Sequence, residues 1–182
     1  MTKALQKLPI WAYTIILMVA TALASVYTGY VYAGVLEAYG LASSAGPILY
    51  IAIIGVVGGA IMRLLARVVY SVGDRIFFYT MRAVPDYNLR RLPIAYNDYV
   101  RTILFWLIIA KLADALLVGL LMFVLPVAYY LWHFLSALVL LVCIFAAYFT
   151  MDRTHVPTWQ SGKCFLSLAI PTVVLYVLAS ML

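Results

Sequence analysis

A lysine and an aspartate, Lys111 and Asp114, stand within an otherwise apolar stretch of the chain. At a spacing of i and i+3 the two side chains fall on one face of a helix. Lys111 follows Arg101 by about ten residues, which places it roughly 15 Å along a helix, near the centre of a hydrocarbon layer of about 30 Å. Charges at that depth are costly to insert and usually mark binding sites or pathways inside a bundle.

Two interpretations of this pair are open. The pair could line an intramembrane polar site, or its opposite charges could only neutralise each other and hold the helix to its neighbours. Counting residues along the other apolar segments puts three hydroxyl side chains at a similar depth. The predicted polar site consists of Lys111, Asp114, Thr21, Ser136 and Thr172.

The elements that position these residues must be membrane-spanning helices. Of the 182 residues, 68% are hydrophobic and only 10% are charged, with a mean hydropathy of +1.09. Soluble domains are about 45 to 50% apolar, so the bilayer has to serve as the solvent of this chain. The composition predicts an all-α integral membrane protein, with residues 1–182 forming a single polytopic membrane domain.

We predict about five transmembrane helices and a short interfacial amphipathic helix after the second. Each apolar segment has at least the roughly 20 residues that cross a bilayer. The small residues at Ala22 and Ala24 imitate a signal cleavage site, but the apolar run continues well beyond them, so we expect the first span to be retained. The predicted spans are approximately 9–35, 47–69, 99–125, 127–150 and 163–182, and a polar cytoplasmic loop is predicted at 71–98.

The basic residues are distributed on one side of this five-span arrangement. All twelve lysines and arginines except Lys111 flank the N-terminus, the polar loop or the connection before the last span. Because basic residues favour the cytoplasmic side, we expect a cytoplasmic N-terminus and a C-terminus on the opposite side. The net charge of +6 is thereby explained without a nucleic-acid partner.

The arginines around the polar loop are also candidates for contact with lipid headgroups or with a partner protein, because they extend an amphipathic surface beyond what topology requires. This predicted contact comprises Arg63, Arg67, Arg75, Arg82, Arg90 and Arg91. Small residues near the level of the polar site predict close helix packing, and two of them have G-x-x-x-G spacing. The predicted packing positions are Gly55, Gly58, Gly59, Ala115 and Gly119.

Enzymatic constellations are scarce in this sequence. His133 and His155 fall on opposite sides of the predicted membrane, and Cys143 and Cys164 lie in or beside apolar segments. The sequence contains no metal-ligand spacing, no glycine-rich phosphate loop and no nucleophile elbow. We therefore expect no enzyme activity, no metal and no cofactor. Six tyrosines crowd the predicted outer boundary, as an aromatic belt or as an outward-facing ligand pocket. They are Tyr27, Tyr30, Tyr32, Tyr39, Tyr129 and Tyr130.

The layout is similar to that of the Yip1-like membrane proteins, which have five spans, a cytoplasmic N-terminus and a last pair of spans joined by a short cytoplasmic loop. The closest local likeness is the segment MDRTHVPTWQSGKCFLSLAIPTVV, in which a polar loop precedes a small apolar helix containing Pro171. The resemblance implies a membrane-organising or trafficking-related role without catalysis.

Two hypotheses for the function follow. The first is a transporter, or a subunit of a membrane transport complex, with a polar site at Lys111 and Asp114. The alternative is a non-catalytic Yip1-like scaffold that acts through its helix surfaces and basic loop. Both have the lipid bilayer as their surroundings, and both leave a membrane-protein partner or a homo-oligomer open. An interior cavity beside the charged pair would favour the first hypothesis, and a stable partner would favour the second.

Overall fold

The computed structural model describes residues 8–38, 48–124 and 129–180. Within these ranges the chain forms α-helices, one short 3-10 turn at Asn88–Arg90 and no β-strand. The helices are α1 (Ile10–Ala38), α2 (Ile48–Thr80), α3 (Tyr96–Val124), α4 (Tyr129–His155) and α5 (Ser161–Ser180).

Five helices in the described part of the chain are long and apolar enough to cross a membrane. Their outward surfaces are apolar as well: Leu112, Leu116 and Leu120, spaced one turn apart on α3, are 55%, 70% and 70% exposed. Such a stripe is unfavourable in water but suits a helix that faces lipid. The prediction of an all-α membrane protein with about five spans is confirmed, and the chain is an integral membrane protein.

Helix α2 continues further than the sequence indicates. The second span was predicted to end near 69 and the polar loop to begin at 71, yet α2 is helical to Thr80 and the connection covers 81–95. The amphipathic stretch is therefore the second half of α2 and not a separate short helix. Val69, Gly73 and Phe77, each one turn apart, are buried. Packing along this face extends the helix past the point where hydropathy falls.

Helix α3 begins slightly before the predicted span. The carbonyl of Ala95 accepts hydrogen bonds from the amides of Asp98 and Tyr99, both at 3.0 Å, which closes the first turn. Asp98 lies in that turn, where a negative charge is favourable at the positive end of the helix dipole. Pro126, between the third and fourth predicted spans, lies outside the described residues.

The chain divides into two compact units by the contacts that its segments make. The first contains Met1–Met62 and Leu104–Ile144, and the second contains Arg63–Ile103 and Phe145–Leu182.

In the first unit, α1 lies directly against the first half of α2. A Cβ atom added at Gly55 would stand 2.6 Å from the Cα of Ala22, and one at Gly59 would stand 2.8 Å from the hydroxyl of Thr21. Only glycine allows helices to approach this closely. Gly58 differs, because a Cβ atom there would meet no atom within 4 Å in the described part of the chain.

The other two predicted packing positions lie on α3. Gly119 faces the phenol of Tyr27, so a side chain at 119 would collide with the Tyr27 hydroxyl. Ala115 is partly exposed. In the first unit, glycines therefore allow close helix contacts only at particular positions. The level of a glycine along its helix does not by itself predict such a contact.

In the second unit, α2 packs against α5. A Cβ atom at Gly73 would lie 3.0 Å from the carbonyl oxygen of Ser167 and 2.9 Å from a methyl carbon of Leu168. Pro171, four residues after Ser167, lies inside α5 and cannot donate the amide hydrogen bond that this carbonyl would otherwise accept. The close approach of Gly73 therefore places the backbone of α2 next to the Ser167 carbonyl, which Pro171 deprives of its usual hydrogen-bond donor within the helix.

Candidate functional site

Lys111 and Asp114 lie on one side of α3, as their spacing predicts. The Nζ atom of Lys111 is 3.9 Å from Oδ2 of Asp114, and the side chains are 26% and 14% exposed. This distance is longer than the roughly 2.7 to 2.9 Å of a charge-assisted hydrogen bond. The two groups attract each other without closing into a bonded pair.

A half-open cavity of about 180 Å³ lies beside this pair, within the first unit. Ser136 on α4 contributes a hydroxyl to its wall. Because liquid water occupies about 30 Å³ per molecule, the cavity has room for roughly six waters or one small solute. The lining residues are Ala110, Lys111, Asp114, Ser136, Ala137 and Leu140.

Asp114 has an oxygen that the surrounding protein does not satisfy. Its Oδ1 atom is buried and has no hydrogen-bond partner among the described residues. An unsatisfied buried polar atom costs about 1 to 3 kcal/mol, and more when it is charged. A donor that entered the cavity would recover this free energy.

Thr21, a predicted member of the polar site, makes its contacts elsewhere in the first unit. Its side chain is buried, and its hydroxyl lies 2.8 Å from the Leu17 carbonyl and 2.9 Å from the Met18 carbonyl, to which it donates within α1. The same hydroxyl packs against Gly59. Thr21 therefore belongs to the contact between α1 and α2 and is not a lining residue of the cavity.

Thr172, the other predicted member, lies in the second unit. Its hydroxyl is 2.5 Å from the phenol oxygen of Tyr148, and it also donates to the Leu168 carbonyl at 2.9 Å. The ring of Tyr148 stacks on that of Tyr99, with the centroids 6.5 Å apart. These three side chains form a buried polar cluster of their own. Of the five predicted residues, Lys111, Asp114 and Ser136 line the cavity.

The buried cluster of Tyr99, Tyr148 and Thr172 was not found from the sequence. The sequence gives tyrosines a recognisable signal only where they crowd a membrane boundary, whereas these two lie among core residues. The spacing of 24 residues between Tyr148 and Thr172 carries no periodic signal, because the residues are on different helices. Of the boundary tyrosines, Tyr39 lies outside the described residues and Tyr30 is 77% exposed.

The predicted lipid-contact arginines separate into two groups. Arg90 donates from Nε to the Val84 carbonyl at 2.7 Å, and Arg91 pairs with Asp74 at 2.5 Å. Hydrogen bonding to Asp74 raises the pKa of the Arg91 guanidinium above its ordinary value. These two arginines hold the 81–95 connection in place.

The remaining arginines are exposed, on α2 or just after its end, and have no ion pair with any side chain that the structure describes. They are Arg63, Arg67, Arg75 and Arg82.

The connection at 81–95 is folded against the rest of the second unit. Asp74 also accepts the amide of Leu92 at 3.0 Å, and Tyr70 donates to the Ile94 carbonyl at 2.9 Å. Gln160, just before α5, donates to the Leu89 carbonyl at 3.2 Å. This last bond joins the connection after α2 to the connection before α5, so both lie at the same end of the second unit.

Metal chemistry has no support in the described residues, where no group of three or more His, Cys, Asp or Glu side chains could hold an ion. His155 is exposed, and the side chain of His133 is outside the described set. Cys143 and Cys164 are both buried free thiols.

Comparison with known proteins adds no relative to this picture. The chain has no significant match to a protein-family model, to a curated protein or to a solved structure.

Proposed function

We propose that this protein is a membrane transporter, or a subunit of a membrane transport complex, in which Lys111, Asp114 and Ser136 form a site for a small polar solute. The observation that carries the proposal is the cavity beside Asp114, whose buried Oδ1 atom lacks a partner in the described structure. A polar cavity on membrane-spanning helices is typical of a solute site.

The geometry of the charged pair supports a site over simple neutralisation. A pair that served only to neutralise charge would gain most by closing to hydrogen-bond distance and by satisfying both carboxylate oxygens. Here the ammonium and the carboxylate are 3.9 Å apart, and one carboxylate oxygen has no hydrogen-bond partner among the described residues. Together with the Ser136 hydroxyl they offer donors and an acceptor to one small molecule, so we expect a solute that carries both kinds of group.

A thermal-unfolding screen of the purified protein tests this proposal. A ligand that binds only the folded state raises the unfolding temperature. The panel is amino acids, monosaccharides, nucleosides, carboxylic acids and inorganic ions, each at millimolar concentration. We expect at least one of them to stabilise the wild type and to have no effect on a Lys111→Met/Asp114→Asn double variant.

Thr21→Val and Thr172→Val are the matched controls, because these hydroxyls do not line the cavity and their variants should keep the response. The solute found in the screen should then enter proteoliposomes with the wild type and not with the double variant. A panel with no stabilising member, or an equal response in the double variant, would contradict the proposal.

The second candidate is the non-catalytic scaffold, and the exposed basic face of α2 is the observation that favours it. A scaffold would keep its full function in the Lys111→Met/Asp114→Asn variant and would purify with a defined membrane-protein partner. A homogeneous monomer that copurifies with no other protein would count against this candidate.

A further inference from the structure

The second half of α2 carries a basic and an apolar stripe side by side. Arg67, Ser71 and Arg75 follow each other one turn apart on one stripe, and aliphatic residues with the same spacing form the other. All are exposed, and together they line a shallow groove of about 400 Å³. The groove residues are Leu64, Arg67, Val68, Ser71, Val72 and Arg75.

The positive charge of this groove has no counter-charge in the described structure. Neither Arg67 nor Arg75 forms an ion pair there. Asp74, the acid adjacent to Arg75 in the sequence, already accepts hydrogen bonds from Arg91 and from the Leu92 amide. The groove therefore presents cations that need an external anion.

The depth of the groove relative to the membrane boundary determines which kind of anion can reach it. On the opposite side of α2, Gly73 lies against Ser167, which is about 9 Å inside the start of α5 at 1.5 Å per residue. Arg75 is two residues from Gly73, so it lies within about 3 Å of the same level along α2. Since α5 is apolar enough to cross the membrane, Arg75 stands near the boundary between headgroups and hydrocarbon.

Arg67 stands deeper than Arg75. The connection that follows α2 is bonded to the residue just before α5, since Gln160 donates to the Leu89 carbonyl. The end of α2 and the start of α5 therefore lie together and the two helices run antiparallel, so Arg67, about two turns before Arg75, lies farther from that end. An exposed arginine at that level is strongly unfavourable in hydrocarbon unless it meets a phosphate or extends to the interface.

We propose that this groove binds one anionic phospholipid. The phosphate lies between the guanidinium groups of Arg67 and Arg75, close to the Ser71 hydroxyl, and an acyl chain lies along Leu64, Val68 and Val72. Guanidinium forks match phosphate oxygens in shape and charge. The adjoining aliphatic stripe explains why the ligand is a lipid rather than free phosphate.

Titration of the detergent-purified full chain with fluorescent phosphatidylglycerol tests the proposal, with phosphatidylcholine as the zwitterionic comparison. Arg67→Gln/Arg75→Gln should weaken phosphatidylglycerol binding by roughly thirtyfold, from the usual contribution of a basic residue at an anionic surface. Phosphatidylcholine, whose choline cation is repelled by these arginines, should bind the wild type more weakly than phosphatidylglycerol and lose less affinity on the substitution. Inorganic phosphate should compete only weakly, because it lacks the acyl chains.

Arg63→Gln/Arg82→Gln is the matched control, since it removes the same charge from exposed positions outside the groove, one on α2 and one just after its end. We expect it to retain most of the phosphatidylglycerol affinity. Both variants should elute as the wild type does on size exclusion, because all four arginines are exposed. An equal loss in both variants, no preference for phosphatidylglycerol, or full competition by inorganic phosphate would overturn the proposal.

Discussion

Asp114 has one carboxylate oxygen near Lys111 and another that is buried without a partner among the described residues. A buried polar atom in this state lowers the stability of the fold. Residues that bind ligands often impose such a cost, so stability and function conflict at the same position. A residue that serves only the structure should instead contribute to stability.

Neutralising both charges tests whether Lys111 and Asp114 compensate each other. Lys111→Met and Asp114→Asn should each lower the free energy of unfolding by about 2 to 3 kcal/mol, because each leaves one charge uncompensated. The double variant should be about as stable as the wild type, measured by thermal unfolding in detergent. A double variant that stays as unstable as the single variants would contradict this compensation between the two charges.

Residue counts predict a level for each polar residue but not the direction in which its side chain points. Counting residues from a membrane boundary gives the height of a side chain along its helix. Lys111, Asp114 and Ser136 share both height and direction, since all three line one cavity. Thr21 and Thr172 belong to other contacts, because the rotation of each helix about its axis depends on packing that hydropathy does not encode.

At the scale of the helices, the glycines of α2 distinguish positions in close helix contact from positions that only share the sequence pattern. Gly55→Ala should be strongly destabilising, since the new methyl group would meet the backbone of α1 at Ala22. Gly58→Ala is the matched substitution: it meets no described atom within 4 Å, and alanine is favoured over glycine in a helix by up to about 1 kcal/mol. Comparing the unfolding temperatures of the two variants checks this prediction, and equal losses would refute it.

The contact between α2 and α5 makes a second prediction at this scale. Gly73→Ala would place a methyl group about 3 Å from the Ser167 carbonyl, so we expect a loss of about 1 to 3 kcal/mol in the free energy of unfolding. Gly162→Ala, also helical but open in the described structure, should cost little. If both changes were neutral in thermal unfolding, the backbones of α2 and α5 would not be in close contact.

The existence of the helices was predictable and the end of α2 was not. Hydropathy identifies a segment that avoids water, and all five helices meet that condition. Beyond Met62 the sequence of α2 alternates arginine with aliphatic residues, which indicates a membrane exit. The helix continues because Val69, Gly73 and Phe77 are buried by tertiary packing, and a single sequence does not reveal that packing.

For the whole molecule, the charge distribution predicts which ends of the helices share a compartment. The bond between Gln160 and the Leu89 carbonyl supports this, because it joins two of the basic connections. With Cys143 and Cys164 replaced by alanine, Asp86→Cys and Thr158→Cys should both be protected from an impermeant thiol reagent added outside intact cells. Ser43→Cys, in the predicted outer connection, should be labelled. Labelling of only one of positions 86 and 158 would refute the five-span arrangement.

Water access to the cavity beside Asp114 is the most direct test of the polar site. In the same cysteine-free background, Ser136→Cys is compared with Leu112→Cys, which is 55% exposed next to Lys111 but lies outside the cavity lining. A charged, impermeant methanethiosulfonate reagent reacts with the thiolate, which forms only where water can solvate it. In open membrane fragments the cysteine at 136 should react about tenfold faster or more than the one at 112. Equal and negligible reaction at both positions would show that the charged pair is sealed, and it would contradict the proposed solute site.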